Sequence, residues 1–179
     1  MDKGFEPCCS KEEKMIILQN PKYVENLAGV IRAAACFDFG PIVWTGDRIE
    51  RSEHKMKKLS AGHALNGKQR MMREFRHPDY KHVLYTRDDR PFDLLVGNDR
   101  HVVPVCVEVD GSEELAYFEH PLHAAYIFGP EDGSVSQMFK ILCQRFVRIP
   151  SKYCLNLAAS VNIVLADRTM KLQRLEIRP

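Results

Sequence analysis

Three short segments of the chain put polar side chains where a folded core would ordinarily place apolar ones. In the first, residues 20–32, Arg32 follows Ile31 on an otherwise apolar, small-residue stretch that ends in Phe39-Gly40. A lone Arg among Ala and Ile is expensive to bury without a partner, so it either sits at a helix edge or meets an anion. Because a guanidinium is effectively always protonated, its chemistry there is to hold a phosphate or stabilise developing negative charge. Asn26 lies six residues earlier, about 1.7 helical turns away and on a different face, where it either caps the helix or meets a ligand. In the second segment an apolar run at 125–128 enters Gly129-Pro130, followed by Glu131, Asp132 and a capping Ser134. Glycine at a strand end lets backbone approach a small molecule closely; the two acids either serve that site or complement a helix dipole. The third segment stops a strand at Ile149-Pro150, then places Asn156 at the start of an Ala-rich helix whose small residues permit close packing.

Other motifs are absent or misleading. Residues 62–69 match the GxxxxGK spacing of a phosphate loop, but a basic stretch precedes it instead of a buried strand, and Gln69 follows Lys68 where a magnesium-holding Ser or Thr is needed. GxGxxG, HExxH and GxSxG do not occur. The six cysteines (8, 9, 36, 106, 143 and 154) lack zinc-site spacing and read as free thiols, four of them within apolar runs. No metal is signalled.

The elements that must position these residues follow from hydrophobic patterning. Short β-rich runs at 15–18, 42–45, 83–86, 102–109, 125–128 and 146–149 alternate with helical patterns at 24–37, 134–143 and 155–166, the signature of an α/β domain with a mainly parallel sheet. At 179 residues, 45% hydrophobic and 28% charged, the chain is an ordinary single globular domain rather than a disordered or fibrous one. Residues 1–14 and 167–179 read as an arm and a tail around a domain at 15–166. The longest uncharged apolar stretch, 153–166, is too short for a membrane span of about 20 residues. The N-terminus has no apolar signal core, so a cytoplasmic location is expected. The net charge of +2 conceals an asymmetry: residues 48–90 carry twelve Lys/Arg against six Asp/Glu, or +6, leaving −4 elsewhere. Such a basic stretch is either a solvated surface or the footprint of a polyanion, with Lys55, Lys57, Lys58, Lys68 and Arg70 as its candidate contacts.

In this order, the three segments resemble the SpoU/TrmH family of SPOUT methyltransferases, which methylate ribose 2'-hydroxyls of RNA. The family's N-x-x-x-x-x-R motif with trailing FG reads as Asn26 to Arg32 and Phe39-Gly40. Its FGPE-x-G turn reads as Phe128 to Gly133, and its Ile-Pro and S-L-N motif as Ile149-Pro150 and Cys154-Leu155-Asn156. The resemblance spans roughly residues 15–166.

It implies a six-stranded, mainly parallel sheet flanked by helices, with a deep trefoil knot near the C-terminus. It also implies a homodimer with active sites built across the interface, and S-adenosylmethionine as cofactor. Carried over, the cofactor positions are Val107, Glu108, Gly129, Ile149, Cys154 and Leu155. Arg32 becomes the residue central to activating the ribose hydroxyl, with Asn26, Glu131 and Asn156 around it. The expected substrate is structured RNA, transfer RNA being favoured over ribosomal RNA. Two positions depart from the pattern: Cys154 replaces a common Ser, a stronger hydrogen-bonding group, and Ala28 replaces a common Gly. With no separate N-terminal RNA-binding domain expected, recognition falls to the 48–90 stretch, the termini or a partner. The rival reading is a non-catalytic RNA-binding or assembly module of the same fold; nucleotide hydrolysis at the Gly62 loop is a distant third.

Overall fold

The computed structural model describes residues 13–51, 80, 82–95 and 101–176. Its strands are β1 (Lys14–Leu18), β2 (Ile42–Trp44), β3 (Tyr85–Arg87), β4 (Val103–Val107), β5 (Glu113–Glu114), β6 (Ala124–Phe128) and β7 (Arg145–Arg148). The helices are α1 (Val24–Cys36), the single turn α2 (Gln137–Lys140) and α3 (Leu157–Glu176). All seven strands form one parallel sheet in the order β3-β2-β1-β6-β4-β7-β5.

The three central strands are nearly continuous apolar runs because both sheet faces are covered. Their period of two divides them between two cores. Ile16, Leu18, Val105, Val107, Tyr126 and Phe128 face α1 and α3. Met15, Ile17, Cys106, Ala125 and Ile127 face the opposite side, where Phe92, Phe139 and Phe146 pack. On the first side the two long helices cross through small residues: a Cβ built on Gly29 would lie 2.7 Å from the Ala158 Cβ. Register aligns Leu18, Phe128, Val107 and Val147 at one sheet edge. The C-terminal ends of β4, β6 and β7 therefore open together, beside the segments after Phe128 and Arg148 that carry the polar motifs.

Among the described residues the sheet has seven strands where six were expected. The extra strand, β5, is two residues long at the sheet edge and carries no apolar pattern. It is fixed instead by ion pairs to β7, with Glu113 taking a two-pronged contact from Arg145, and Arg148 lying 3.1 Å from Glu114.

The helix expected at 134–143 is the single turn α2, and the residues ahead of it are tied by their amides to side chains just past β4 and β1. Val135 N–H donates to the Glu108 carboxylate, and Ser136 N–H donates to Gln19 Oε1 at 2.7 Å. Ser136 is extended, with φ −64° and ψ 154°. Conversely, α3 runs ten residues past its expected end at 166. Its polar residues there bind protein groups: Arg168, 3% exposed, donates to the carbonyls of Pro121 and Leu122, and Lys171 to those of Leu115 and Phe118. Among the described residues, no helix is long and apolar enough to cross a membrane.

Candidate functional site

One cavity opens at the C-terminal ends of β4, β6 and β7, where ligands of open α/β sheets bind. Val107, Glu108, Gly129, Ile149, Cys154 and Leu155 all line it, so six positions up to 48 residues apart converge there. Gly129 has a local reason to be glycine, since a Cβ would stand 2.8 Å from Val135 N. That amide donates to Glu108, so Gly129 lets the turn after β6 fold back onto the end of β4. Glu108 is nearly buried, its side chain 8% exposed, and the Lys140 ammonium lies 3.9 Å from it. The lining pairs apolar Val107, Ile149 and Leu155 with acidic Glu108 and Glu131 and with the hydroxyls of Ser134, Ser151 and Ser160.

A hydrogen-bonded chain adjoins the cavity through Glu131. Asn156 Nδ2 donates to Asn26 Oδ1 at 2.8 Å, and Asn26 Nδ2 donates to Glu131 Oε1 at 2.5 Å. Glu131 also accepts the backbone N–H of Lys22 at 2.7 Å and of Tyr23 at 3.3 Å. The polarity of this chain is dictated from one end. A carboxylate only accepts, so Asn26 must turn its NH₂ towards Glu131 and offer its carbonyl to Asn156. Asn156 then keeps its own carbonyl for the N–H of Ala159, at 3.2 Å, and caps α3. Asn26 does not cap α1; it is 7% exposed and points inward.

Arg32 is not part of this assembly. It is exposed on α1, and the cavity of its own chain does not include it. Asn26, Glu131 and Asn156 are thus brought together across three elements, while the arginine of the first motif stands apart. Lys55, Lys57, Lys58, Lys68 and Arg70 lie outside the described residues.

Asp132 has a role the sequence did not reveal. It faces no helix dipole, since α2 begins only at Gln137. Arg48 instead grips it with both terminal nitrogens, at 2.9 and 2.7 Å, and Lys22 Nζ approaches to 3.2 Å. Arg48 first, then Lys22, holds its carboxyl well below the usual carboxylate range. No sequence signal marked Arg48, which opens a helical turn after β2, beyond its place at the edge of the basic stretch.

Comparison with known proteins agrees with this geometry. The sequence model of the SpoU rRNA methylase family matches residues 13–166. No curated protein matches the sequence. Among solved structures, the SpoU methyltransferase AviRb of Streptomyces viridochromogenes, in complex with AdoMet, superposes with a TM-score of 0.70 at 18% identity, over 93% of this chain and 60% of that one. A structure described as giving insights into 2-OH methylation of C/U34 on tRNA gives 0.68 at 18% identity, over 91% of this chain and 98% of that one. The TrmH/SpoU tRNA modifying enzyme of A. aeolicus gives 0.67 at 13% identity, over 93% and 78%. At these identities the structures share the fold, and this chain spans about 60% of the length of AviRb. The family match covers most of the chain and all three motifs, and this chain belongs to the SpoU rRNA methylase family.

Proposed function

We propose that the protein transfers a methyl group from S-adenosylmethionine to a ribose 2'-hydroxyl of structured RNA, with transfer RNA as the favoured class. The observation that carries this reading is the Asn156–Asn26–Glu131 chain set against a cavity at the strand ends. The similarity in length and fold to the structure concerned with 2-OH methylation of tRNA supports both the 2'-hydroxyl and the RNA class.

The donor set suits the cofactor. Apolar Val107, Ile149 and Leu155 offer flat contact for an adenine ring, Glu108 has a second carboxylate oxygen for a hydroxyl, and Cys154 lines the same wall with a weaker donor than serine. When bound, S-adenosylmethionine supplies an electrophilic methyl. The protein then has to align the ribose oxygen with it and help a proton leave. The amide chain is suited to alignment: Glu131 and the N–H of Ala159 fix the orientation of both amides, and each NH₂ keeps a second N–H beyond the chain.

Arg32 is assigned to the neighbouring phosphate and to the charge developing on the ribose oxygen, with the proton passing to solvent. Its distance from the cavity of its own chain fits a site completed by a second copy. The homodimer and the knotted chain path implied by the resemblance belong to the same reading.

The test is transfer of labelled methyl to separate pools of unmodified transfer and ribosomal RNA, with nucleoside analysis of the product. Label is expected as a 2'-O-methylnucleoside in the transfer RNA pool, and is expected to be lost in both Arg32→Ala and Arg32→Lys, because lysine cannot reproduce the guanidinium fork. Near-normal turnover in Arg32→Lys overturns the role given to Arg32. Failure to bind S-adenosylmethionine overturns the enzyme reading and leaves an RNA-binding module.

A further inference from the structure

The acidic dipeptide Glu131-Asp132 does two jobs with adjacent side chains. Glu131 turns inward to Asn26 and accepts the backbone N–H groups of both Lys22 and Tyr23. Asp132 turns outward and gathers Arg48 and Lys22. One turn therefore ties the proposed reaction centre to a patch holding two cations, one anion and the ring of Tyr23, which is 48% exposed with the Lys22 ammonium 5.3 Å from its centroid. Exposed ion pairs add little to stability, and Asp132 is half-exposed. The arrangement has a different use. A guanidinium fork that accommodates one planar pair of oxygens accommodates those of a phosphate equally well. An exposed aromatic beside it is the usual platform for an unstacked RNA base.

We propose that Lys22, Tyr23 and Arg48 form a nucleotide-holding rim next to the reaction centre, in which the two cations take a backbone phosphate of the RNA and the Tyr23 ring stacks on a base. Asp132 is a stand-in anion that keeps Arg48 and Lys22 extended together until the phosphate arrives. The inference rests on the RNA methyltransferase reading and adds to it the side chains that position the substrate strand.

RNA affinity, measured against salt concentration with in vitro transcribed transfer and ribosomal RNA pools, tests it, with S-adenosylmethionine affinity and thermal melting as controls. Arg48→Ala is expected to weaken RNA binding about tenfold and to lower the slope of log affinity against log salt by about 1, with cofactor affinity unchanged. Tyr23→Ala is expected to weaken it about tenfold at unchanged slope, while Tyr23→Phe, which keeps the ring, binds like the wild type. Asp132→Asn distinguishes a stand-in anion from a structural brace: it is expected to tighten RNA binding, and weaker binding overturns the proposal. Wild-type affinity and slope in folded Arg48→Ala and Tyr23→Ala overturn the rim alone, provided the parent protein binds and methylates RNA. A parent protein that binds neither pool overturns the rim together with the reading beneath it.

Discussion

Asn26 shows how little freedom one side chain keeps at this site. Its two amide atoms face a carboxylate on one side and another amide on the other, and swapping its oxygen and nitrogen would set like groups against each other at both contacts. Glu131 determines that orientation, so Glu131→Gln is a sharper test than truncation. Glutamine keeps the size but can satisfy only part of three N–H donors with one carbonyl, leaving its own NH₂ towards Asn26 or a backbone amide. The variant is expected to lose about 1–3 kcal/mol of stability in urea titration and at least about 100-fold in methyl transfer. Wild-type turnover in a folded variant would remove Glu131 from the mechanism. The sequence singled out Asn26, Glu131 and Asn156 separately, with capping or a helix dipole as the alternative role, and only the resemblance grouped them. They are separated by 105 and 25 positions, and no periodicity connects them. Arg32 was conspicuous for its apolar neighbours, yet it is exposed on α1 and does not line the cavity of its own chain.

Elements were legible where one pattern ruled and illegible where side chains overrode it. The central strands announced themselves because burial on both faces makes them uniformly apolar, and α1 because Leu27, Val30, Ile31 and Ala34 recur at helical spacing and are buried. The segment after Gly133 looked helical from its start, but Glu108 and Gln19, just past β4 and β1, bind the amides of Val135 and Ser136, a tertiary contact that no local propensity encodes. The C-terminal half of α3 read as a tail, whereas Asp167, Arg168 and Lys171 anchor the 115–122 segment. Gly129 is the pivot of the first of these arrangements. Gly129→Ala puts a Cβ 2.8 Å from Val135 N and 3.1 Å from Ser134 C, both backbone atoms that cannot simply rotate away. Moving that amide breaks its bond to Glu108. We expect a loss of about 1–3 kcal/mol in stability, together with weaker binding of S-adenosylmethionine by calorimetry. An alanine variant with unchanged cofactor affinity would show that the turn and β4 need not touch to form the pocket.

At the scale of the molecule, sheet and C-terminal helix are joined through a buried histidine. His120 Nδ1 meets the hydroxyl of Tyr126, on the central strand β6, at 2.5 Å, and Nε2 meets Asp167 of α3 at 2.8 Å. Neutral imidazole satisfies both, donating from Nε2 to Asp167 and accepting at Nδ1 from the tyrosine. Protonation would make Nδ1 a donor and strand the tyrosine proton. Burial, opposed only in part by Asp167, lowers the histidine from 6.5 to about 4. A base held below its unfolded value contributes stability that is fully present above pH 6.5 and is lost as pH falls towards 4. The loss approaches about 3 kcal/mol at the acid end. The ion-paired carboxylates Glu113 and Asp132, both held below their ordinary values by arginine, add their own loss only below the usual carboxylate range. Urea midpoints should therefore be flat above pH 6.5 and decline between 6.5 and 4.5, before carboxylate protonation dominates. His120→Gln should be less stable at neutral pH yet lack that decline, because glutamine does not titrate. A wild-type protein as stable at pH 4.5 as at pH 7.5 would mean that the histidine titrates alike in the folded and unfolded states and is not held neutral between β6 and α3.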